Sequence, residues 1–142
     1  FFDLKMEGIT PIIAHPERYK PVQDNISLVS GWLEAGCLIQ VDAGSPLGIL
    51  GRKAKETAEI IIKKGWCQVL GSDSHDNKYR NFCLKESLEH INGFVDYDTS
   101  ILVKKNPQKI LNGEPIFVDI NYEESTGSNS FFSRIKNKMG LT

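Results

Sequence analysis

Two short polar clusters, each closing an apolar run, hold the residue types in this chain that can do chemistry. The first reads Ile12-Ile13-Ala14-His15-Pro16-Glu17-Arg18-Tyr19, and the second Val69-Leu70-Gly71-Ser72-Asp73-Ser74-His75, with Arg80 beyond it. A strand that ends in His and another that ends in Asp-x-His can aim imidazole and carboxylate groups into one pocket at the mouth of a sheet or barrel. Mixed N and O donors of this kind suit a divalent transition metal. His15, Asp73 and His75 are therefore the candidate metal ligands. A histidine after a strand is by itself more often a hydrogen-bonded structural residue, and a lone Asp-x-His arises readily by chance. The argument rests on the combination: the clusters close strands of β/α units of the same kind, and each has an arginine a few residues on.

Those arginines, Arg18 and Arg80, suggest what the metal would act on. A guanidinium is a planar fork of donors that matches phosphate oxygens and stays charged at any working pH. A divalent metal lowers the pKa of a bound water, and cations beside it neutralise charge developing on the equatorial oxygens of a phosphate ester. Phosphate-ester hydrolysis is the expected reaction class. The alternative is that both arginines are surface salt-bridge residues, and the local sequence alone weighs the two equally.

Other phosphate chemistries fit less well. A thiolate phosphatase needs an arginine six positions after its nucleophilic cysteine. Six positions after Cys37, Cys67 and Cys83 stand Ala43, Asp73 and Glu89. Neither a Walker A loop nor a G-x-G-x-x-G fingerprint is present, and Gly44-Ser45 with Gly48 reads as a tight loop beside the site. The odd cysteine count without C-x-x-C spacing points to free thiols and a cytoplasmic location.

Composition bounds the rest. The 142 residues leave room for one domain with a sizeable core, and 17 basic against 18 acidic side chains give no electrostatic case for nucleic acid or an anionic membrane. No apolar stretch approaches the roughly 20 residues that cross a bilayer, and Phe1-Phe2-Asp3 does not open a signal peptide. A chain that does not begin with Met is expected to be a piece of a longer protein.

Strands and helices that alternate must position the two clusters. Thr10 to Ala14 is an apolar run ending at His15, and a helix is expected from about Asp24, as N-cap, to Ala35, with Ile26, Val29 and Leu33 inward and Gly36 as the stop. Cys37 to Val41 reads as a buried strand leading into the turn-rich Asp42-Ala43-Gly44-Ser45-Pro46-Leu47-Gly48. A second helix is expected from Arg52 to Lys64, with Ala54, Ala58, Ile61 and Ile62 inward and Gly65 after it. Trp66 to Leu70 is the third strand, and a helix over Asn81 to Ile91 follows, with Leu84, Leu88 and Ile91 inward and His90 exposed. Asn106 caps a short helix that opens on Pro107 and stops at Gly113. From about Asp119 the composition turns polar and reads as a linker, followed by a segment, Phe131 to Leu141, that sets Phe131, Phe132, Ile135 and Met139 among basic residues. The expected class is α/β with a parallel sheet, whose functional groups gather at the carboxyl ends of the strands. Three strand–helix units are too few to close a barrel.

Taken together, His15-Pro16-Glu17-Arg18-Tyr19, Asp42 through Gly48, Gly71-Ser72-Asp73-Ser74-His75-Asp76 with Arg80, and Asn106-Pro107 through Gly113 resemble a known set. The chain is similar, from about residue 8 to residue 118, to the bacterial capsule- and exopolysaccharide-associated protein-tyrosine phosphatases of the polymerase-and-histidinol-phosphatase (PHP) superfamily. The resemblance implies the C-terminal portion of a distorted PHP-type (β/α) barrel over residues 1–118, with residues 119–142 as polar linker and tail. It implies up to three divalent metals, manganese being usual in that family. It further implies hydrolysis of phosphotyrosine on a tyrosine kinase that governs capsule or exopolysaccharide synthesis. By the same resemblance His15, Asp73 and His75 match metal ligands, and Arg18 and Arg80 match arginines that hold or polarise the phosphate.

The family's N-terminal His-x-His and its further His and Glu ligands have no counterpart here, so the chain is expected to supply an incomplete site. Two other readings stay open: a PHP phosphoesterase acting on a small phosphorylated metabolite, and a metal-free remnant or binding module. Part of a closed barrel exposes sheet edges and apolar helix faces, so the isolated chain is expected to be marginally stable or to form homo-oligomers.

Overall fold

The computed structural model describes residues 2–75 and 82–118. After a short helix α1 (Phe2–Met6), the apolar runs become three strands: β1 (Ile12–Ala14), β2 (Leu38–Asp42) and β3 (Val69–Gly71). They form one parallel sheet in the order β1-β2-β3, with Ala14 opposite Gln40 and Asp42 opposite Gly71. β2 is the central strand, and all of it except Gln40 is buried, which accounts for its near-continuous apolar run. The register places His15 and Asp73 just beyond the ends of the two outer strands, with Asp42 at the end of the middle one. This is the sheet edge where α/β folds collect their functional groups.

Helices α2 (Lys20–Asp24), α3 (Ser27–Glu34) and α4 (Arg52–Lys63) fill the connections between strands. α3 packs on β2, while α4 packs on α2 and on the 3-10 turn Pro16–Arg18. The expected inward faces are the buried ones: Val29 and Leu33 of α3, and Ala54, Ala58, Ile61 and Ile62 of α4, join Ile39, Val41 and Leu70 in the core. Gly36 and Gly65, at φ of 79° and 67°, follow these helices where a left-handed residue ends the turn. α5 (Leu84–Asn92) buries Ile91, with Leu84 and Leu88 half-buried against the core.

Three expectations change in detail. The helix predicted from Asp24 to Ala35 starts only at Ser27, because Asp24 ends α2 and Asn25 turns extended; the Asn25 Oδ1 accepts from the Ser27 N–H and hydroxyl at 3.2 and 2.7 Å. Asn106 does not cap. It opens α6 (Asn106–Leu111) directly after a π-helical turn, Ile101–Lys105, and its buried Nδ2 donates to the Gln68 carbonyl at 2.8 Å. Gln68 Oε1 in turn accepts from the Ile39 N–H at 2.8 Å, so this helix is tied through Gln68 to the central strand. His90 is half-buried rather than exposed, edge-on to Phe94 and 3.6 Å from Glu59. All three cysteines are buried and outside any disulfide, and burial pushes the Cys67 thiol up to about 12, far from a reactive thiolate.

Candidate active site

The first cluster is shaped by its backbone. The His15 N–H still donates to the Gln40 carbonyl at 2.8 Å, extending the β1–β2 ladder by one residue. At His15 the chain then enters the left-handed region (φ 41°, ψ 51°) and turns into Pro16–Arg18. Proline there has the fixed φ that a helical first position wants. Tyr19 closes the loop by donating its hydroxyl to the Ala14 carbonyl at 2.9 Å, with its ring edge-on to the His15 imidazole. The His15 Nδ1 is buried and has no hydrogen-bond partner among the described residues.

The second cluster mirrors the first. Beyond β3, Asp73 also takes a left-handed conformation (φ 44°), and His15 and Asp73 are the non-glycine residues that do so among those described. Such conformations are costly for side chains other than Gly, and they concentrate at functional sites. The clusters meet through Arg18, whose Nη1 donates to Asp73 Oδ2 at 2.9 Å and stands 3.6 Å from Asp42 Oδ2. The guanidinium is one-third exposed, so the pair adds about 1 kcal/mol or less to stability. Its consequence is geometric: residues 55 apart in sequence are held in one place. His75, exposed, donates Nδ1 to the Asp73 carbonyl at 2.6 Å. In a neutral ring that bond leaves Nε2 as the lone-pair nitrogen, the arrangement common to metal-binding histidines.

Beneath these groups lies a buried polar clamp. Glu17, fully buried, uses Oε1 to accept from the Asp42 N–H at 3.0 Å and the Ser45 hydroxyl at 2.7 Å. Burial pushes the Glu17 carboxyl up to about 7, against the lowering effect of those hydrogen bonds. Asp42 Oδ1 accepts from the Gly44 N–H at 2.8 Å. The loop after β2 is thereby locked to the turn after β1.

The donors present match a divalent cation in chemistry: an orphaned buried imidazole nitrogen at His15, a carboxylate at Asp73 and an oriented imidazole at His75. Among the described residues, however, no three His, Cys, Asp or Glu side chains gather closely enough to hold one ion. Arg80 lies outside the described residues.

A profile for capsular polysaccharide synthesis proteins of the CpsB/CapC type matches residues 2–112. The chain belongs to this family. Relatives within it are the tyrosine-protein phosphatase YwqE of Bacillus subtilis, 31% identical over 117 residues, and the tyrosine-protein phosphatase CpsB of Streptococcus pneumoniae, 28% identical over 115 residues. Those alignments cover 82% and 77% of this chain, and 46% and 47% of the relatives. A crystal structure from work on YwqE and CpsB, described as unique metal-dependent tyrosine phosphatases, superposes with a TM-score of 0.78 at 30% identity, covering 84% of this chain and 48% of that one. The chain spans about half the length of the curated relatives it matches. The CpsB/CapC membership bears out the resemblance read from the four motifs, and the parallel sheet bears out the α/β class.

Three residues of the site escaped the sequence reading as functional groups: Glu17, Asp42 and Ser45. Glu17 sits inside the first motif, but nothing local marks a carboxylate for full burial. Asp42 and Ser45 read as turn formers. The signal that finds them is the register of β2 between β1 and β3, which becomes visible once the strands are paired.

Proposed function

We propose that this chain forms the later part of a metal-dependent protein-tyrosine phosphatase, within a distorted PHP-type (β/α) barrel. Residues 1–118 belong to that domain and residues 119–142 form a polar linker and tail. The observation that carries this reading is the convergence of the two strand-end clusters, Arg18 on Asp73 at 2.9 Å, in a CpsB/CapC chain whose relatives are named as tyrosine phosphatases. His15, Asp73 and His75 supply part of a divalent-metal ligand set, manganese by preference, and the remaining ligands come from the portion of the relatives that this chain does not span. A metal held there supplies an activated water and charge neutralisation. Arg18 and Arg80 then bind and orient the phosphoryl oxygens. The substrate is phosphotyrosine on a kinase of capsule or exopolysaccharide synthesis, and the setting is the cytoplasm.

The test is hydrolysis of a phosphotyrosine peptide by the full protein with manganese, against a chelator control and against histidinol phosphate. Turnover of the peptide that the chelator abolishes is expected, together with a loss of at least about 100-fold in His15→Ala and in Asp73→Ala. Preference for histidinol phosphate would replace the phosphotyrosine reading with a metabolite phosphatase. Turnover unaffected by either substitution would remove those residues from the ligand set.

A further inference from the structure

We propose that Asp42 is the positioning residue for Arg18, and that Glu17 and Ser45 set Asp42 in place from inside the fold. Arg18 is a long side chain, one-third exposed, on a short 3-10 turn, and by itself it would sample many rotamers. Its Nη1 faces two carboxylates that differ in kind. Asp73 is the closer, but its side chain is 23% exposed and its backbone takes a left-handed turn beyond a strand end. Asp42 is fixed: its side chain is 4% exposed, its backbone N–H is held by Glu17 Oε1, and its Oδ1 is held by the Gly44 N–H, with Oδ2 3.6 Å from the guanidinium.

The clamp has a directional logic. Glu17 and Arg18 are neighbours on one turn, so the same three residues that carry the guanidinium also carry the group that anchors its counter-charge. Glu17 Oε1 bridges to Asp42 and Ser45, and any shift of the loop after β2 relative to the turn after β1 must break two buried hydrogen bonds. Breaking bonds to a buried acceptor is costly, because the donors left behind lose water as well as their partner. Arg18 is thus aimed by a rigid unit, and the phosphoryl group meets donors already in place.

Two measurements on the full protein test this. Phenylglyoxal modification of Arg18, followed by peptide mass spectrometry with the exposed Arg52 as internal reference, requires no catalytic activity. Arg18 is expected to react several-fold faster in Asp42→Asn than in the unaltered protein, faster in Glu17→Ala, and at the original rate in Glu17→Gln, which keeps the Oε1 acceptor. An unchanged rate in Asp42→Asn would overturn the proposal. Asp42→Asn is isosteric and keeps the acceptor for the Gly44 N–H; an unchanged melting temperature confirms that it folds.

The second measurement rests on the phosphatase reading. A double-mutant cycle on phosphotyrosine-peptide turnover should show Asp42→Asn lowering kcat/KM by about ten-fold beside Arg18 and by less than about two-fold in an Arg18→Ala background. Additive losses would mean that Asp42 does not act through Arg18. Absence of turnover in the unaltered protein would remove the phosphatase reading alone, and the modification rates would still decide the positioning role.

Discussion

His15 and Asp73 hold left-handed backbones at the two points where the strands hand over to the site. For an L-residue that conformation costs on the order of 1 kcal/mol or more, and asparagine tolerates it better than histidine does. The His15 imidazole adds a buried, unpartnered nitrogen. Both features cost the fold, and costs of this kind concentrate at functional sites. His15→Asn is therefore expected to melt no lower than the unaltered protein and to gain up to about 1 kcal/mol, while phosphatase turnover is lost. Chemical denaturation beside the peptide assay checks this, and a clear destabilisation would place His15 among the residues that hold the loop. The strand-end places of His15 and Asp73 were legible in the sequence because apolar runs lead into them. Glu17 was not, since full burial of a carboxylate depends on Asp42 and Ser45, more than twenty residues away, arriving to donate hydrogen bonds.

At the scale of elements, local signals succeeded where one segment decides its own structure and failed where another segment intervenes. α4 follows from the spacing of Ala54, Ala58, Ile61 and Ile62 and from Gly65 behind it. Asn106 has every local mark of a cap, yet a carbonyl on the segment leading into β3 claims its side chain. Upstream, Asp98 ties down the π-helical turn: its Oδ1 accepts from the Ser100 N–H at 3.0 Å and its Oδ2 accepts from Lys105 Nζ at 2.9 Å. Hydrogen bonds from Ser100, then from Lys105, hold the Asp98 carboxyl down at about 2, below its ordinary 3.8. A carboxyl lowered on folding contributes stability that is present above 3.8 and lost as pH falls through 2. Asp98→Asn is thus expected to melt below the unaltered protein at neutral pH, with the gap closing as pH drops from about 4 to about 2. Melting curves across that range check it; a gap independent of pH would assign the effect to packing.

The whole molecule has a consequence that neither residue nor element carries. With the order β1-β2-β3, only β2 is paired on both sides among the described residues, and the outer edges of β1 and β3 face away from it. Ile12 on β1 is 39% exposed and Phe117 is 88% exposed. Near Phe117 an open groove of about 420 Å³ is lined by Ile101, Leu102, Ile116 and Val118 as well. Parallel strands are ordinarily covered on both faces and continued at their edges, and bare edges beside apolar surface recruit further strands. Parallel pairing and the placing of both clusters at the carboxyl ends of the strands were implied by β/α alternation, but which edges stay open depends on strand order, which no local pattern encodes. The isolated 142-residue chain is accordingly expected to self-associate: its weight-average mass in sedimentation equilibrium should rise with concentration, and its thermal transition should be broad. Replacing Ile12, on the β1 edge, with Lys should lower that association without touching the Arg18–Asp73 contact, because a charge on an edge strand opposes edge-to-edge pairing. A monomer that melts in one sharp step at every concentration would show instead that these three strands and their helices close a self-sufficient core.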